Sequence, residues 1–320
     1  MYRIGIDLGG TNIAAGLVNE NYEIVCKKSV PTNAKSRTGE EIVAAMAELC
    51  RTLAKEQGIA LSEVEAIGVA SPGIANSRDG VVEYCNNVYF RHFKMAELLA
   101  RETGVSNVHV ENDANAAAWG EAVAGAAKGT ESSVMITLGT GVGGGVIVGK
   151  KLITGFNFAG AELGHVVIEK DGAPCSCGRR GCWEAYSSAT ALIRMTKEKI
   201  EECAATGRKT LMSDLAAEKG KVSGRTAFDA MRAGDEAAKE VVDTYISYLT
   251  TGITNMVNIF QPEVLSIGGG ISGEGDNLLA PIIPIVQKEQ YGQGIVASTK
   301  IKIAKLGNDA GIIGAAFLGI

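Results

Sequence analysis

The chain has 320 residues, a formal net charge of −5 and 46% hydrophobic residues, a composition typical of a globular protein long enough for two domains. The charge comes without a block rich in Lys or Arg, which argues against nucleic-acid binding. No apolar run approaches the roughly 20 residues that span a bilayer, and an N-terminus carrying Asp7 without a long apolar stretch is not expected to be a secretory signal.

The N-terminal residues predict a strand (RIGIDL), a glycine turn (GGTN) and a second strand (IAAGLV), with a third strand at YEIVCKKSV. Gly9 and Gly10 allow the backbone to approach a ligand closely and to present N–H groups to phosphate oxygens. Thr11 adds a hydroxyl, and Asp7 at the strand end is suited to hold Mg²⁺ through water. A tight hairpin turn explains the two glycines equally well, so this motif alone leaves both interpretations open.

The next segment alternates helix and strand. Apolar residues at helical spacing predict a helix from about Gly39 to Gln57, ended by Gly58. VEAIGVA predicts a short apolar strand ended by Ser-Pro-Gly at 71–73. A helix near Lys94–Glu102 and the strand NVHVEN follow.

Asn112 and Asp113 stand where that strand ends and an Ala-rich helix begins. Both residue types cap helices routinely, which is the simpler interpretation. The alternative makes Asp113 a base acting on a substrate hydroxyl, kept ionised by the helix N-terminus. Phosphoryl transfer has a loose transition state, for which a weak but well-placed carboxylate suffices. Beside phosphate-binding turns we favour the base, and both roles are compatible.

A second strand-turn-strand segment, VMITLGTGVGGGVIV, repeats the pattern of the first and suggests two domains of related design. A third glycine-rich turn, SIGGGIS, follows another apolar strand. Three such turns favour a bound nucleotide, two holding its phosphates and the third its adenosine. The remaining chain alternates strands and helices, with a long helix between Asp235 and Phe260, which predicts α/β layers.

Three of the seven cysteines lie close together, and His165 precedes them. One imidazole and three thiolates, with glycines in the intervening turns, predict a closed tetrahedral zinc site with no open catalytic position. A redox cysteine cluster, or a core histidine near unrelated thiols, is the alternative. The four scattered cysteines are expected to be buried, reduced thiols, and we expect the protein in the cytoplasm. The predicted ligands are His165, Cys175, Cys177 and Cys182.

Glu162 and Glu184 flank this cluster. Surface glutamates usually carry no function, but two of them fixed to one rigid metal site can point at the same ligand. A metal that holds one imidazole nitrogen leaves the other free to face a substrate. Sugar hydroxyls need acceptors in such a fixed array, so we expect the zinc site to form one wall of a sugar site, with the ATP turns across the cleft from it.

Taken together, four motifs resemble those of the ROK family of sugar kinases and repressors, and most of all its bacterial ATP-dependent glucokinases. They are IGIDLGGTN, the END that contains Asp113, LGTGVGGGVIVGKKLITGFNFAGAELGH and CSCGRRGCWE, in that order along nearly the whole chain. The resemblance implies an actin-like ATPase (ribonuclease-H-like) α/β fold with two domains flanking a cleft. The small N-terminal domain would comprise 1–112 plus about 306–320, and the large domain 113–305 would carry the zinc site.

The resemblance also implies roles for individual residues. Asp113 would be the catalytic base. The sugar would be bound by Gly73, Asn86, Asn112, Asp113, Glu162, His165 and Glu184. ATP and Mg²⁺ would be held by Asp7, Gly9, Gly10, Thr11, Asn12, Thr140, Gly141, Gly269 and Gly270.

The expected activity is ATP-dependent phosphorylation of glucose to glucose 6-phosphate. Another hexose, such as N-acetylmannosamine, N-acetylglucosamine, allose or fructose, remains an alternative substrate. A sugar-responsive repressor is a weaker alternative, because repressors of this family carry a helix-turn-helix before the first strand, which here begins at Arg3. We expect a homo-oligomer, dimer or tetramer, with sugar and ATP as ligands and no nucleic-acid or membrane partner.

Overall fold

A computed structural model describes Met1–Gly319. Ile320, the last residue of the predicted small domain, lies outside the described residues. The chain divides into two compact units. The first comprises Met1–Met135, Gly145–Ala161 and the C-terminal segment from Lys305, and the second comprises Ile136–Gly144 and Glu162–Ala304. Within Met1–Gly319, no helix combines the length and the apolar character that crossing a membrane requires.

The strands are β1 (Tyr2–Leu8), β2 (Asn12–Asn19), β3 (Ile24–Pro31), β4 (Val64–Ser71), β5 (Ile74–Asn76), β6 (Val81–Cys85), β7 (Phe90–Phe93), β8 (Val108–Asn112), β9 (Ser133–Leu138), β10 (Val142–Val148), β11 (Lys151–Leu152), β12 (Val264–Gly268) and β13 (Lys300–Ile303). The α-helices are α1 (Gly39–Gln57), α2 (Met95–Thr103), α3 (Asp113–Val123), α4 (Glu184–Ser187), α5 (Ala189–Thr206), α6 (Leu211–Glu218), α7 (Thr226–Arg232), α8 (Glu236–Phe260), α9 (Asp276–Glu289) and α10 (Ala310–Ala316).

The first unit is built on a five-stranded sheet of order β3-β2-β1-β4-β8. β1, β2 and β3 form an antiparallel meander, whereas β4 and β8 run parallel to β1. Parallel strands end at the same edge of a sheet, so β1, β4 and β8 carry their last residues to one edge. Those last residues lead into the predicted turn at Gly9, into the segment that contains Gly73 and into Asp113.

Each face of this sheet is covered by helices, because alternate residues of a strand point to opposite faces. Ile4 and Ile6 of β1 pack in a buried cluster with residues of α1 and α2. Gly5 and Gly68 face α10, and a Cβ at either position would collide with the α10 backbone. The two glycines therefore allow α10 to lie directly on β1 and β4.

The predicted helix over 39–57 forms with the predicted end. Thr38 and Glu41 make a capping box at its N-terminus, and Gly58 adopts a left-handed conformation with φ 73°. Its buried residues recur at helical spacing and include Ile42, Met46 and Leu53. The strand and helix predictions up to Asp113 are likewise confirmed within a residue or two.

The predicted domain boundary after Asn112 is not where the compact units divide. α3 belongs to the first unit because it packs closely on α10. Gly314 of α10 allows this close approach, since a Cβ there would collide with the backbone of Ala116 in α3. The small antiparallel sheet β5-β6-β7 has no counterpart among the predicted elements. Its strands are short, and hydrophobic periodicity is a weak signal in short strands.

The second unit contains most of the helices and the parallel pair β12 and β13. These strands belong to a sheet of order β11-β10-β9-β12-β13. The predicted long helix is α8, and Asp235 caps it by accepting hydrogen bonds from the backbone N–H groups of Ala237 and Ala238. Between Glu162 and α4 the regular structure consists of one 3₁₀ turn and two isolated bridges. Side chains and turns, not a strand ladder, must therefore fix this segment.

Candidate active site

Two carboxylates of the first unit lie close enough to influence each other. Asp7 is near the end of β1, and Asp113 is the first residue of α3. Burial, together with the nearby charge of Asp113, raises the pKa of Asp7 to about 6. The Asp113 side chain is accessible to solvent, yet desolvation by the surrounding protein raises the pKa of its carboxyl. Hydrogen bonds from the Ala114 N–H and from Asn112 oppose this rise. The helix N-terminus is expected to keep this carboxyl ionised, and desolvation acts in the opposite direction by raising its pKa.

The predicted phosphate turn joins β1 to β2. The N–H of Gly9 donates to the carbonyl of Asn12 at 2.9 Å, and the hydroxyl of Thr32 donates to the carbonyl of Gly9 at 2.6 Å. The backbone N–H of Thr32 donates to the carbonyl of Thr11. Gly10, Thr11 and Asn12 are exposed, so this turn is held by Thr32, directly after β3, while its tip stays accessible.

Asn112 caps α3, as the simpler interpretation predicted. Its Oδ1 accepts hydrogen bonds from the N–H groups of Ala114 and Asn115, and its Nδ2 donates to the carbonyl of Gly73 at 3.0 Å. Gly73 has φ 89°, a conformation open to glycine, and a Cβ there would collide with the carbonyl of Tyr84. The amide of Asn112 thus ties the helix start to the Ser-Pro-Gly segment and also hydrogen-bonds the Asp113 carboxylate.

Asn86 lies in the connection between β6 and β7. Its Oδ1 accepts hydrogen bonds from the hydroxyl of Tyr84 at 2.8 Å and from the Arg91 guanidinium at 3.3 Å. That guanidinium also stacks 4.1 Å from the centroid of the Tyr84 ring. Both partners were missed from the sequence because they belong to strands that periodicity did not reveal. They fix the Asn86 amide with its Nδ2 as the available donor.

In the second unit, the turn between β9 and β10 contains Thr140 and Gly141. The start of α5 holds it, because the N–H of Ala189 donates to the carbonyl of Gly139 at 2.8 Å and the Thr190 hydroxyl donates to the carbonyl of Thr140 at 2.7 Å. Gly269 and Gly270 follow β12, and Gly269 lies directly against Leu138 at the end of β9. The second and third glycine turns therefore belong to one unit, and the first turn to the other.

The predicted zinc ligands converge. The donor atoms of His165, Cys175, Cys177 and Cys182 all lie within 4.8 Å of one another. Cys177 Sγ and Cys182 Sγ are 3.7 Å apart, as are Cys175 Sγ and His165 Nδ1. Zn–S bonds of about 2.3 Å in a tetrahedron put neighbouring ligand atoms roughly 3.8 Å apart. The four side chains thus fit a zinc ion held through His165 Nδ1.

Glu184 joins this cluster to the β9–β10 turn. Its Oε1 accepts hydrogen bonds from the Ser176 hydroxyl at 3.2 Å and the Cys175 thiol at 3.6 Å. Its Oε2 accepts one from the N–H of Val142 at 3.1 Å, in the space that a Gly141 side chain would fill. The sequence analysis places the ATP turns across the cleft from the cysteine cluster. The turn between β9 and β10 does not fit that expectation, because Glu184 hydrogen-bonds both this turn and the cluster. Ser176, between two of the predicted ligands, was missed.

Glu162 and His165 lie at either end of one short turn. The N–H of His165 donates to the carbonyl of Glu162 at 3.0 Å, and the Arg179 guanidinium donates to the carbonyl of His165 at 3.1 Å. The Glu162 side chain is exposed and that of His165 is half-buried. Because His165 presents Nδ1 to the cysteines, Nε2 is the ring nitrogen left for another partner.

A cavity of about 430 Å³ opens in the second unit beside these groups. It brings together the predicted phosphate turn, the cysteine cluster and Glu184. Its polar lining includes Thr140, Cys175, Ser176, Glu184, Ser188 and Arg194. A volume of this order accommodates a small polar ligand.

The chain matches the model of the ROK family over residues 3–320. It is 36% identical over 98% of its length to a glucokinase of Streptomyces coelicolor, covering 96% of that protein. A crystal structure of a ROK family glucokinase from Streptomyces griseus, in complex with glucose and AMPPNP, aligns over 99% of both chains with a TM-score of 0.78 and 34% identity. A ROK hexokinase from Thermus thermophilus aligns over 99% of this chain and 97% of its own, with a TM-score of 0.80 and 33% identity. The predicted actin-like α/β fold is thereby confirmed.

Proposed function

This chain belongs to the ROK family, and from that premise we propose that it transfers the γ-phosphoryl group of ATP to the 6-hydroxyl of glucose, releasing glucose 6-phosphate and ADP. The observation that carries the proposal is the full-length similarity to the Streptomyces griseus glucokinase, which binds glucose and AMPPNP. The acid pair of the first unit and the ligand-sized cavity of the second support it, since they offer a base and a place for a polar ligand.

In this mechanism Asp113 accepts the proton of the 6-hydroxyl as its oxygen attacks the γ-phosphorus and ADP leaves. A pKa raised above the usual range suits a carboxylate for this task, because a general base works best with a pKa near the working pH. The α3 cap fixes where that carboxylate stands. Hydroxyl groups of the sugar would be bound by Gly73, Asn86, Asn112, Glu162, His165 and Glu184.

The glycine turns would bind ATP through backbone N–H groups. The exposed tip of the β1–β2 turn and the β9–β10 turn are suited to phosphate oxygens, and Gly269 and Gly270 to the adenosine. Mg²⁺, when bound, neutralises charge on the phosphates. Asp7 would hold it through water, with Asn12 beside the same turn.

We further propose that His165, Cys175, Cys177 and Cys182 hold one structural zinc ion. The support is that the four donor atoms lie within 4.8 Å of one another, with two spacings of 3.7 Å as a tetrahedral zinc site needs. The zinc would fix the His165 ring and the turn that carries Ser176, whose hydroxyl donates to Glu184. A reducing compartment, the cytoplasm, would keep these cysteines available as thiolates.

We propose that the protein is a homo-oligomer, dimer or tetramer. The support is a group of strongly exposed apolar side chains near the end of α8, where the Tyr291 N–H donates to the Asn258 side chain. Large apolar residues that stay this exposed commonly mark association surfaces. The group consists of Ile259, Tyr291, Ile295 and Val296. Light scattering after size exclusion tests it, since Ile259→Lys with Tyr291→Lys should lower the mass to that of one chain.

The remaining alternatives concern the sugar. A kinase of N-acetylmannosamine, N-acetylglucosamine, allose or fructose would use the same base and turns. A repressor role has less support, because a relative that is 36% identical and covered over 96% of its length is a glucokinase.

A coupled assay of ADP release over a hexose panel tests the proposal. Glucose should give the highest kcat/KM. A higher kcat/KM for N-acetylmannosamine would replace the substrate assignment while leaving the kinase assignment intact, and no ADP release with any hexose would reject the kinase assignment.

A further inference from the structure

Glu111 is the last residue but one of β8, directly before Asn112 and Asp113. Its side chain is only 3% exposed. Burying a carboxylate is costly unless hydrogen bonds compensate for the lost water. None of the roles assigned above to the sugar site or the ATP turns uses this acid, so its burial calls for an explanation.

The Glu111 carboxylate spans the junction between β8 and α3. Its Oε1 accepts hydrogen bonds from the backbone N–H of Asn112 at 2.9 Å and from the side-chain amide of Asn115 at 3.1 Å. The Ser77 side chain is also hydrogen-bonded to it. Burial raises the pKa of Glu111, and these three hydrogen bonds oppose that rise.

The two donors to Oε1 belong to residues on either side of Asp113. Asn112 precedes the base and ends β8, and Asn115 follows it in the first turn of α3. One carboxylate oxygen therefore restrains both ends of the segment that carries the base. The Asp113 side chain is itself held by the adjacent N–H of Ala114 and by Asn112, so its position follows the path of this backbone.

Glu121 provides an internal comparison, because it is a second buried carboxylate, in the helix α3 that follows β8. It is 0% exposed, and its two oxygens accept hydrogen bonds from the N–H groups of Ala126 and Leu306. These contacts tie the far end of α3 to neighbouring connections. Glu121 and Glu111 thus have similar burial and bonding, but only Glu111 bonds the residues that flank Asp113.

We infer that Glu111 is a positioning residue, whose buried carboxylate fixes the β8–α3 junction so that Asp113 meets the sugar hydroxyl in a productive geometry. The inference rests on the proposed function, in which Asp113 is the base. A displacement of about 1 Å in a reacting group can cost a factor of about 100 in rate. Glu111 acts through Asp113 and touches neither substrate.

The test begins with three single variants assayed with glucose and ATP. Glu111→Ala should lower kcat about 10- to 100-fold, because both ends of the junction lose their acceptor. Glu111→Gln should keep kcat within about threefold of the wild type, since its amide oxygen accepts the same two bonds. Glu121→Ala, the matched control, should lower Tm but also keep kcat within about threefold, since it removes a buried acceptor remote from the base.

Glu111 also lines a cavity of about 310 Å³ with His109 and Trp119, so water can reach the two donors in the alanine variant and the loss of stability should be tolerated. Should that variant nevertheless fail to fold, Asn115→Ala removes the helix-side bond alone and should lower kcat in the same direction.

The decisive measurement repeats Glu111→Ala in an Asp113→Asn background. If Glu111 acts through the base, its removal should change kcat little once the base is absent. An equal fall in both backgrounds, or an equal fall for Glu111→Ala and Glu121→Ala, would overturn the inference. Near-normal kcat in Asp113→Asn alone would instead reject the base assignment in the proposed function, whatever Glu111 does.

Discussion

The carboxylates at the β1 and β8 ends and the cysteine–histidine cluster are held in place in opposite ways. Asp7 and Asp113 stand at the ends of strands of one sheet, and the ladder fixes their backbone before any ligand binds. The cluster lies in a segment with one 3₁₀ turn and two isolated bridges. Its four ligand side chains converge without a strand or long helix to support them.

This difference predicts that the two regions fail differently. A substitution among the carboxylates should alter chemistry or protonation while the fold persists, because the sheet does not depend on them. A substitution in the cluster should alter the geometry of several residues at once, because a structural zinc site contributes directly to local folding. The variants below separate these outcomes.

The largest expected effect is a fall in kcat on replacing Asp113, one of the two carboxylates at the strand ends. Asp113→Asn keeps the size of the side chain and its capacity to cap, but it removes the proton acceptor. Loss of a positioned base should lower kcat about 100- to 10,000-fold. Glucose affinity, measured by calorimetry, should fall far less because the amide still forms hydrogen bonds. If kcat stayed near normal, Asp113 would only cap the helix.

The second effect is on ligand binding in the cluster. Cys177→Ser should release the bound metal and weaken glucose binding strongly, because the metal site is expected to hold His165 and Glu184 in place. An ATP analogue should lose less affinity, because α5 also holds the β9–β10 turn through Gly139 and Thr140. Metal analysis of the wild type should find about one zinc per chain.

Cys203→Ala is the matched control for that variant, since Cys203 is a buried thiol of the same unit, in α5. It should retain the zinc and both affinities. Two titrations of Cys177→Ser decide between the possibilities. Equal loss of glucose and the ATP analogue would mean that the cluster supports the whole unit, and unchanged glucose affinity would reject its role in the sugar site.

The smallest expected effect is on stability in the first region. Asp7 has a pKa of about 6 in the folded protein against a usual 3.8, so between these values the folded chain binds more protons than the unfolded one. The contribution of Asp7 to stability should therefore fall as pH rises from about 4 to about 6 and stay constant above it. Asp7→Asn removes this loss, so at pH 7 the free energy of unfolding of the variant should exceed that of the wild type by of order 1–2 kcal/mol. This figure takes 1.36 kcal/mol per pKa unit and reduces the result for partial exposure of the side chain.

Urea unfolding at pH 4 and pH 7 measures this difference, which should be small at the lower pH. Because the charge of Asp113 contributes to the shift, Asp7→Asn should stabilise an Asp113→Asn background less than the wild type. A stabilisation that is equal at both pH values would show that Asp7 does not carry the raised pKa.

The sequence by itself determined the elements and motifs that depend on neighbouring residues. Hydrophobic spacing and Gly58 marked α1 and its C-terminal end, and the long helix α8 was predicted between Asp235 and Phe260. Thiol and imidazole ligands at short spacing marked the cluster, because the turns between them are local. Family resemblance then linked these pieces to the correct fold.

Only the tertiary structure decided which distant groups meet. Glu111 reads in the sequence as one more strand residue, and its role follows from contacts with Asn112, Asn115 and Ser77. Glu184 bonds both the cysteine cluster and the turn at Val142, which spacing could not reveal. The pKa of Asp7 likewise depends on burial and on Asp113, far away along the chain. Hydrogen bonding and desolvation act through space, so a one-dimensional pattern reports them only where the chain folds back locally.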